Sequence, residues 1–75
     1  MNKDEFKSFE PFGDDYTIKI YEREDCRYYA IVVYETAEES KVIYSSKAML
    51  KSEQARKLAY DYAVKHESEK KKMNK

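Results

Sequence analysis

One glycine, one proline, one cysteine, one histidine and no tryptophan occur among 75 residues. A single Gly beside a single Pro excludes the collagen-like, Gly/Ser-linker and Pro-rich classes. One Cys excludes a disulfide scaffold. One Cys with one His leaves too few soft ligands for a structural zinc site. The longest apolar run, residues 28–34, is seven residues long, against the roughly 20 that a membrane-spanning helix needs. Residues 1–7 contain no apolar h-region, so no secretory signal is predicted. Without a signal or paired cysteines, the cytoplasm is the expected compartment. Neither sign of charge dominates, with 15 Lys+Arg and 15 Asp+Glu. A dedicated nucleic-acid mimic would be strongly acidic.

What is present is organised in blocks. The apolar fraction is 41% and the charged fraction 40%, and the apolar residues cluster, which predicts a folded domain with charged ends. The length allows one domain. Charge divides along the chain. Residues 1–40 hold five basic and eleven acidic side chains, a net of −6, and residues 41–75 hold ten basic and four acidic, a net of +6. The simplest expectation is that folding brings the two halves together and screens them.

Residues 1–15 read as an N-terminal arm carrying Phe6, Phe9 and Phe12 at spacings of three, with room for a short helix over 3–9. Pro11 and Gly13 break any helix there. Three phenylalanines are costly to leave in water, so the arm is expected to fold back over apolar surface. Residues 16–23 alternate, with Tyr16, Ile18 and Ile20 on one side and Thr17, Lys19 and Tyr21 on the other, a strand signature. Residues 28–35 are apolar at both parities, as in a central strand. The turn at 24–27 does not set their register, so either parity can face the core. Residues 41–45 form a third, shorter strand. Short connections pair these strands as an antiparallel meander.

Ala55, Leu58, Ala59, Tyr62 and Ala63 recur at helical spacing after Ser52, a natural N-cap, with Glu53 in the first turn. The predicted helix ends at His66, and residues 67–75 read as a charged, disordered tail. The domain therefore spans 16–66. The fold class is α+β: a three-stranded antiparallel β-meander with one C-terminal helix packed across one face, β-β-β-α, preceded by the aromatic arm. The expected core is Ile18, Ile20, Val32, Val42, Tyr44, Leu58, Ala59 and Tyr62. One helix covers one sheet face. The other must meet the phenylalanine arm, a second copy of the chain, or a partner.

No catalytic residue, cofactor or metal site is predicted. His66 and Cys26 read as solvated groups with no orienting third residue, and a nucleophile pair needs contact and orientation. Asp14-Asp15 and Glu38-Glu39 lie in polar loops, where nothing raises a carboxylate pKa. Gly13 alone makes no phosphate loop. A non-enzyme is expected.

Two binding classes remain. For nucleic acid, the basic residues Lys47, Lys51, Arg56 and Lys57 lie around the helix start, and tyrosines can stack bases. Ala59-Tyr60-Asp61-Tyr62-Ala63 resembles the A-Y-D-x-A segment of the AP2 helix, in a fold that presents a three-stranded sheet to DNA. In that alignment Arg56 and Lys57 stand where the AP2 family has alanines, and the strands lack its Arg- and Trp-rich readout. Double-stranded-RNA-binding domains also end in β-β-β-α, but residues 52–57 lack their paired lysines. For protein, tyrosine and phenylalanine are favoured interface anchors, and Tyr21, Tyr29 and Ile43 are the candidates for an open sheet face. The expectation is a small cytosolic module of the adaptor or inhibitor type, such as phages and mobile elements carry, acting through protein–protein contact. Nucleic-acid binding is the alternative, homodimerisation a third outcome, and no membrane role is expected.

Overall fold

The computed structural model describes residues 4–73, with side chains to residue 70. Residues 1–3 of the expected arm and 74–75 of the expected tail lie outside the described residues. The described chain runs β1 (Glu5–Phe12), β2 (Tyr16–Glu22), β3 (Tyr28–Glu35), β4 (Ser40–Ser45) and α1 (Ser52–Met73). The strands form one antiparallel sheet in the order β1-β2-β3-β4. The α+β class, the antiparallel meander and the C-terminal helix are as expected. The sheet, however, has four strands rather than three.

The extra strand is the phenylalanine arm. Spacings of three suggest a helix, because a regular strand alternates faces at odd spacings. A bulge at Lys7 removes the conflict. Phe6 pairs with Tyr21 and Ser8 with Ile20, so one residue is absorbed between them. Phe6 and Phe9 then share one face and Phe12 takes the other. Pro11 is tolerated because β1 is an edge strand. Gly13 turns the chain into β2 with φ +64°, where a side chain would be strained. A Cβ there would also come within 3.2 Å of Glu67 Oε2.

Ala55, Ala59 and Ala63 are fully buried and let α1 lie directly on the sheet, against Ile18 and Val32, which are also fully buried. The helix lies mainly over β3 and β2. Tyr44 and Tyr62, both expected in the core, pack at its margin with stacked rings 4.5 Å apart. Two expected core residues lie elsewhere. Leu58 is half-buried outside the central cluster, because the alanines make the close contact. Val42 is 57% exposed. A second bulge explains it: Val32 pairs with Tyr44 and Val33 with Val42, leaving Ile43 between them. Tyr44 faces the helix and Val42 faces away. Beyond β4 the chain keeps to the edge of β3. Buried Ser46 accepts the Ala30 N–H through Oγ at 2.9 Å and donates to the Lys47 carbonyl, and Tyr28 and Met49 exchange two backbone bonds of 2.7 Å.

The helix continues to Met73 where a disordered tail is expected from the sequence. Its last turns are held by the β1–β2 turn and the end of β3. His66, expected to be solvated, is half-buried and hydrogen-bonded through Nδ1 to the Tyr16 hydroxyl at 2.7 Å. Lys70 donates to the Tyr34 hydroxyl and lies 3.6 Å from Asp15. Burial raises the Tyr16 pKa, and the bond to Tyr34 raises that of Lys70. At the other end the Lys51 carbonyl accepts the first helical bond, from Ala55 N at 3.4 Å, so Lys51 rather than Ser52 holds the capping position.

Arg56 ties the helix to β1 by a two-pronged bond to Glu10, at 2.6 and 2.9 Å. The guanidinium holds the Glu10 carboxyl below its ordinary pKa. Both side chains are over 40% exposed, so screening limits the pair to about 1 kcal/mol or less. A carboxyl whose folded pKa is depressed adds stability above its unfolded pKa, near 4.3, and loses it as pH falls through the folded value. Glu10→Gln is therefore expected to lower stability at neutral pH by up to about 1 kcal/mol, with the deficit vanishing in acid; urea midpoints across pH check this. Ala59→Leu overfills the helix–sheet contact and is expected to cost about 1–3 kcal/mol by urea denaturation.

Candidate functional site

Strand alternation decides which side chains stand on the face away from α1. Ile18, Ile20, Ala30 and Val32 point to the helix, so their neighbours point out. Read across the strands, the outer face carries three rows: Phe6, Tyr21 and Tyr29; Phe9, Lys19, Ile31 and Ser45; Pro11, Thr17, Val33 and Val42. Phe6 is 48% exposed and Phe9 63%. The aromatic rings form a continuous line. Phe9 lies 6.4 Å from Phe6, Phe6 meets Tyr21 edge-on at 5.6 Å, and Tyr21 stacks on Tyr29 at 5.5 Å. Such pairs add stabilisation beyond their buried area and fix the rings in place.

Tyr29 closes the line at the β2–β3 turn, where its hydroxyl donates to Asp4 Oδ2 at 2.9 Å. Burial and then this bond push its pKa up to about 12. The same end holds a cleft of about 320 Å³ lined by Asp4, Arg23, Glu24, Asp25 and Tyr29. Cys26 is exposed in this turn, with φ 66°. His66 packs at Tyr16, the opposite end of β2, so the two residues are not brought together. Among the described residues no cluster of His, Cys, Asp and Glu is arranged to hold a metal ion. Among them, too, no helix is long and apolar enough to cross a membrane.

Of the three residues expected on the open face, Tyr21 and Tyr29 stand there together. Ile43 instead packs, half-buried, against the core cluster, because it is the residue left unpaired at the β4 bulge. The four basic candidates do not form one free patch. Arg56 holds Glu10, and Lys57 lies 3.5 Å from Asp61 one helical turn on. Lys47 and Lys51 are exposed in the β4–α1 connection and have no ion pair among the described residues.

The residues that sequence reasoning missed are Phe6, Phe9 and Val42. Pro11 and Gly13, read from the sequence as helix breakers, also fit the end of an edge strand, but the bulges at Lys7 and Ile43 shift the parity that would have placed all three. A scan of protein-family models finds no family that matches the chain, and searches of curated proteins and of solved structures find no match. The site therefore rests on its own geometry.

Asp4→Asn weakens the bond that disfavours tyrosinate at position 29. Spectrophotometric titration of the tyrosines should show the highest-titrating group, near pH 12, move down toward the ordinary value of about 10 in that variant.

Proposed function

We propose that the chain is a small, non-catalytic cytoplasmic module that takes a protein partner on the sheet face opposite the helix, in the manner of an adaptor or inhibitor. The observation that carries this reading is that the phenylalanine arm extends the sheet instead of covering it. The outer face is thereby widened by one strand and left uncovered, with Phe6, Phe9 and Val42 about half or more exposed. Contiguous apolar patches on small proteins mark interaction sites. Aromatic side chains already fixed by one another lose little freedom when a partner arrives.

Nucleic-acid binding is favoured less. Of Lys47, Lys51, Arg56 and Lys57, the last two already serve carboxylates within the chain. The β1–β2 turn, with Asp14 and Asp15, and the β3–β4 turn, with Glu38 and Glu39, would repel phosphate at one end of the sheet. The four-stranded sheet also departs from the three-stranded AP2 arrangement.

Capture from a lysate of the source cells, with and without nuclease, separates the two. Phe9→Asp and Val42→Asp should each weaken capture of a protein band by about tenfold or more. Their circular dichroism should stay unchanged, since both side chains are mostly exposed. Lys47→Ala with Lys51→Ala, and nuclease treatment, should leave the band intact. Loss of the band with nuclease or with the lysine pair, and its survival in Phe9→Asp, would overturn the protein-binding reading.

A further inference from the structure

The outer face has one feature that an apolar patch alone does not explain. Lys19 stands at its middle, on β2, flanked in register by Phe9 on β1 and Ile31 on β3. It is half-buried and is the only charged side chain in the three cross-strand rows. Lys7, Arg23, Lys41, Arg56, Lys57 and Lys70 each lie within 4 Å of a carboxylate. Lys19 has no ion pair among the described residues; Arg27, Lys47, Lys51 and Lys65 have none either, but all four are exposed and lie outside the three rows.

A partner settling on Phe9 and Ile31 would strip water from the ammonium between them. Burying that charge without a counter-charge is strongly unfavourable. Phe9 and Ile31 stand on either side, along the two directions in which the side chain could lean across the sheet. A compatible occupant must therefore supply an acid at this point. A second copy centred on this face does not. A two-fold axis through the middle of the face would set Lys19 against its own counterpart, and like charges brought together at an interface are a strong bar to association.

Resting on the protein-binding reading above, we propose that the open face takes a different protein, one that presents an Asp or Glu between flanking aromatic or aliphatic residues, with the carboxylate meeting Lys19. The apolar flanks lie on the ring line and on Ile31, and the ion pair sets the register. Lys19 thereby acts as a selector, because a partner of matching shape without the acid leaves a buried cation unpaired.

The probe is a displayed library of random linear peptides, selected on the immobilised full chain and on three variants. On the parent chain the enriched peptides should share an acidic residue flanked by apolar ones. On Lys19→Glu the shared charge should become Lys or Arg, and the parent's peptides should lose about 30-fold or more in affinity. Lys19→Met, which keeps the stem, should bind without a charge preference and with unchanged circular dichroism. On Phe9→Asp no peptide of the parent set should be retained. Sedimentation at high micromolar concentration should give a monomer.

The same consensus on the parent chain and Lys19→Glu, a consensus lacking an acid, the absence of any enrichment, or a dimer that Phe9→Asp disperses would each overturn the proposal. If Phe9→Asp keeps the parent's peptides, the open-face reading fails as well. If Phe9→Asp loses them and Lys19→Glu keeps them, only the role of Lys19 fails.

Discussion

An α-helix about 10 Å across covers roughly two strands spaced about 4.8 Å apart. In this chain that limit governs nearly everything else. With Ala55, Ala59 and Ala63 as its inner edge, α1 comes close to the sheet and buries Ile18 and Val32 completely. It cannot also reach over β1 and β4. Those strands are served by side chains that lean in from the flanks. Arg56 reaches Glu10, Tyr60 meets Phe12 edge-on at 5.3 Å, and Tyr62 stacks on Tyr44. The far face of the sheet receives no cover from the helix at all.

The ends of the molecule show how so small a core is supplemented. The three alanines contribute closeness rather than volume, and the packed unit is near the lower size limit for independent stability. Aromatic contacts fill the gap. Along the helix's last turns His66 lies within ring-contact distance of Tyr62, Tyr16 and Tyr34, and Tyr16 and Tyr34 also meet each other. Lys70 sits above the Tyr34 ring at 4.7 Å and beside Asp15. Helix turns that would fray in isolation are held by these contacts. The ion pairs that link the helix to the sheet or its turns, Arg56 with Glu10 and Lys70 with Asp15, each join the acidic first half of the sequence to the basic second half. The opposed charges of the two halves are thus partly spent inside the fold, which leaves the binding question to the apolar face.

The strands at 16–22, 28–35 and 40–45 and the start of the helix were legible because their signals are local. Tyr16, Ile18 and Ile20 alternate, and Ala55, Ala59 and Ala63 repeat at one helical face. The first strand was not legible, because a single bulged residue at Lys7 gives Phe6 and Phe9 a helix-like spacing. The bulge at Ile43 had the same effect on Val42 and Ile43, exchanging the outward residue for the inward one. Tyr21 was readable as an outward residue from the alternation of β2, whereas the side taken by Tyr29 was set only by the β2–β3 register. That they meet Phe6 and Phe9 in one line depends on β1 pairing with β2, which no local pattern records.

By itself the sequence determined the class of fold, the inner face of β2 and the alanine stripe of α1, because periodicity of two or 3.6 residues is written into neighbouring positions. Only the tertiary structure decided that the phenylalanine arm would lengthen the sheet, that Val42 would face outward, and that the helix would run on past His66 to Met73. Each of those outcomes turns on partners far apart in the chain, such as Phe6 with Tyr21, Val33 with Val42 and His66 with Tyr16. Their energy appears only once the chain has brought them together.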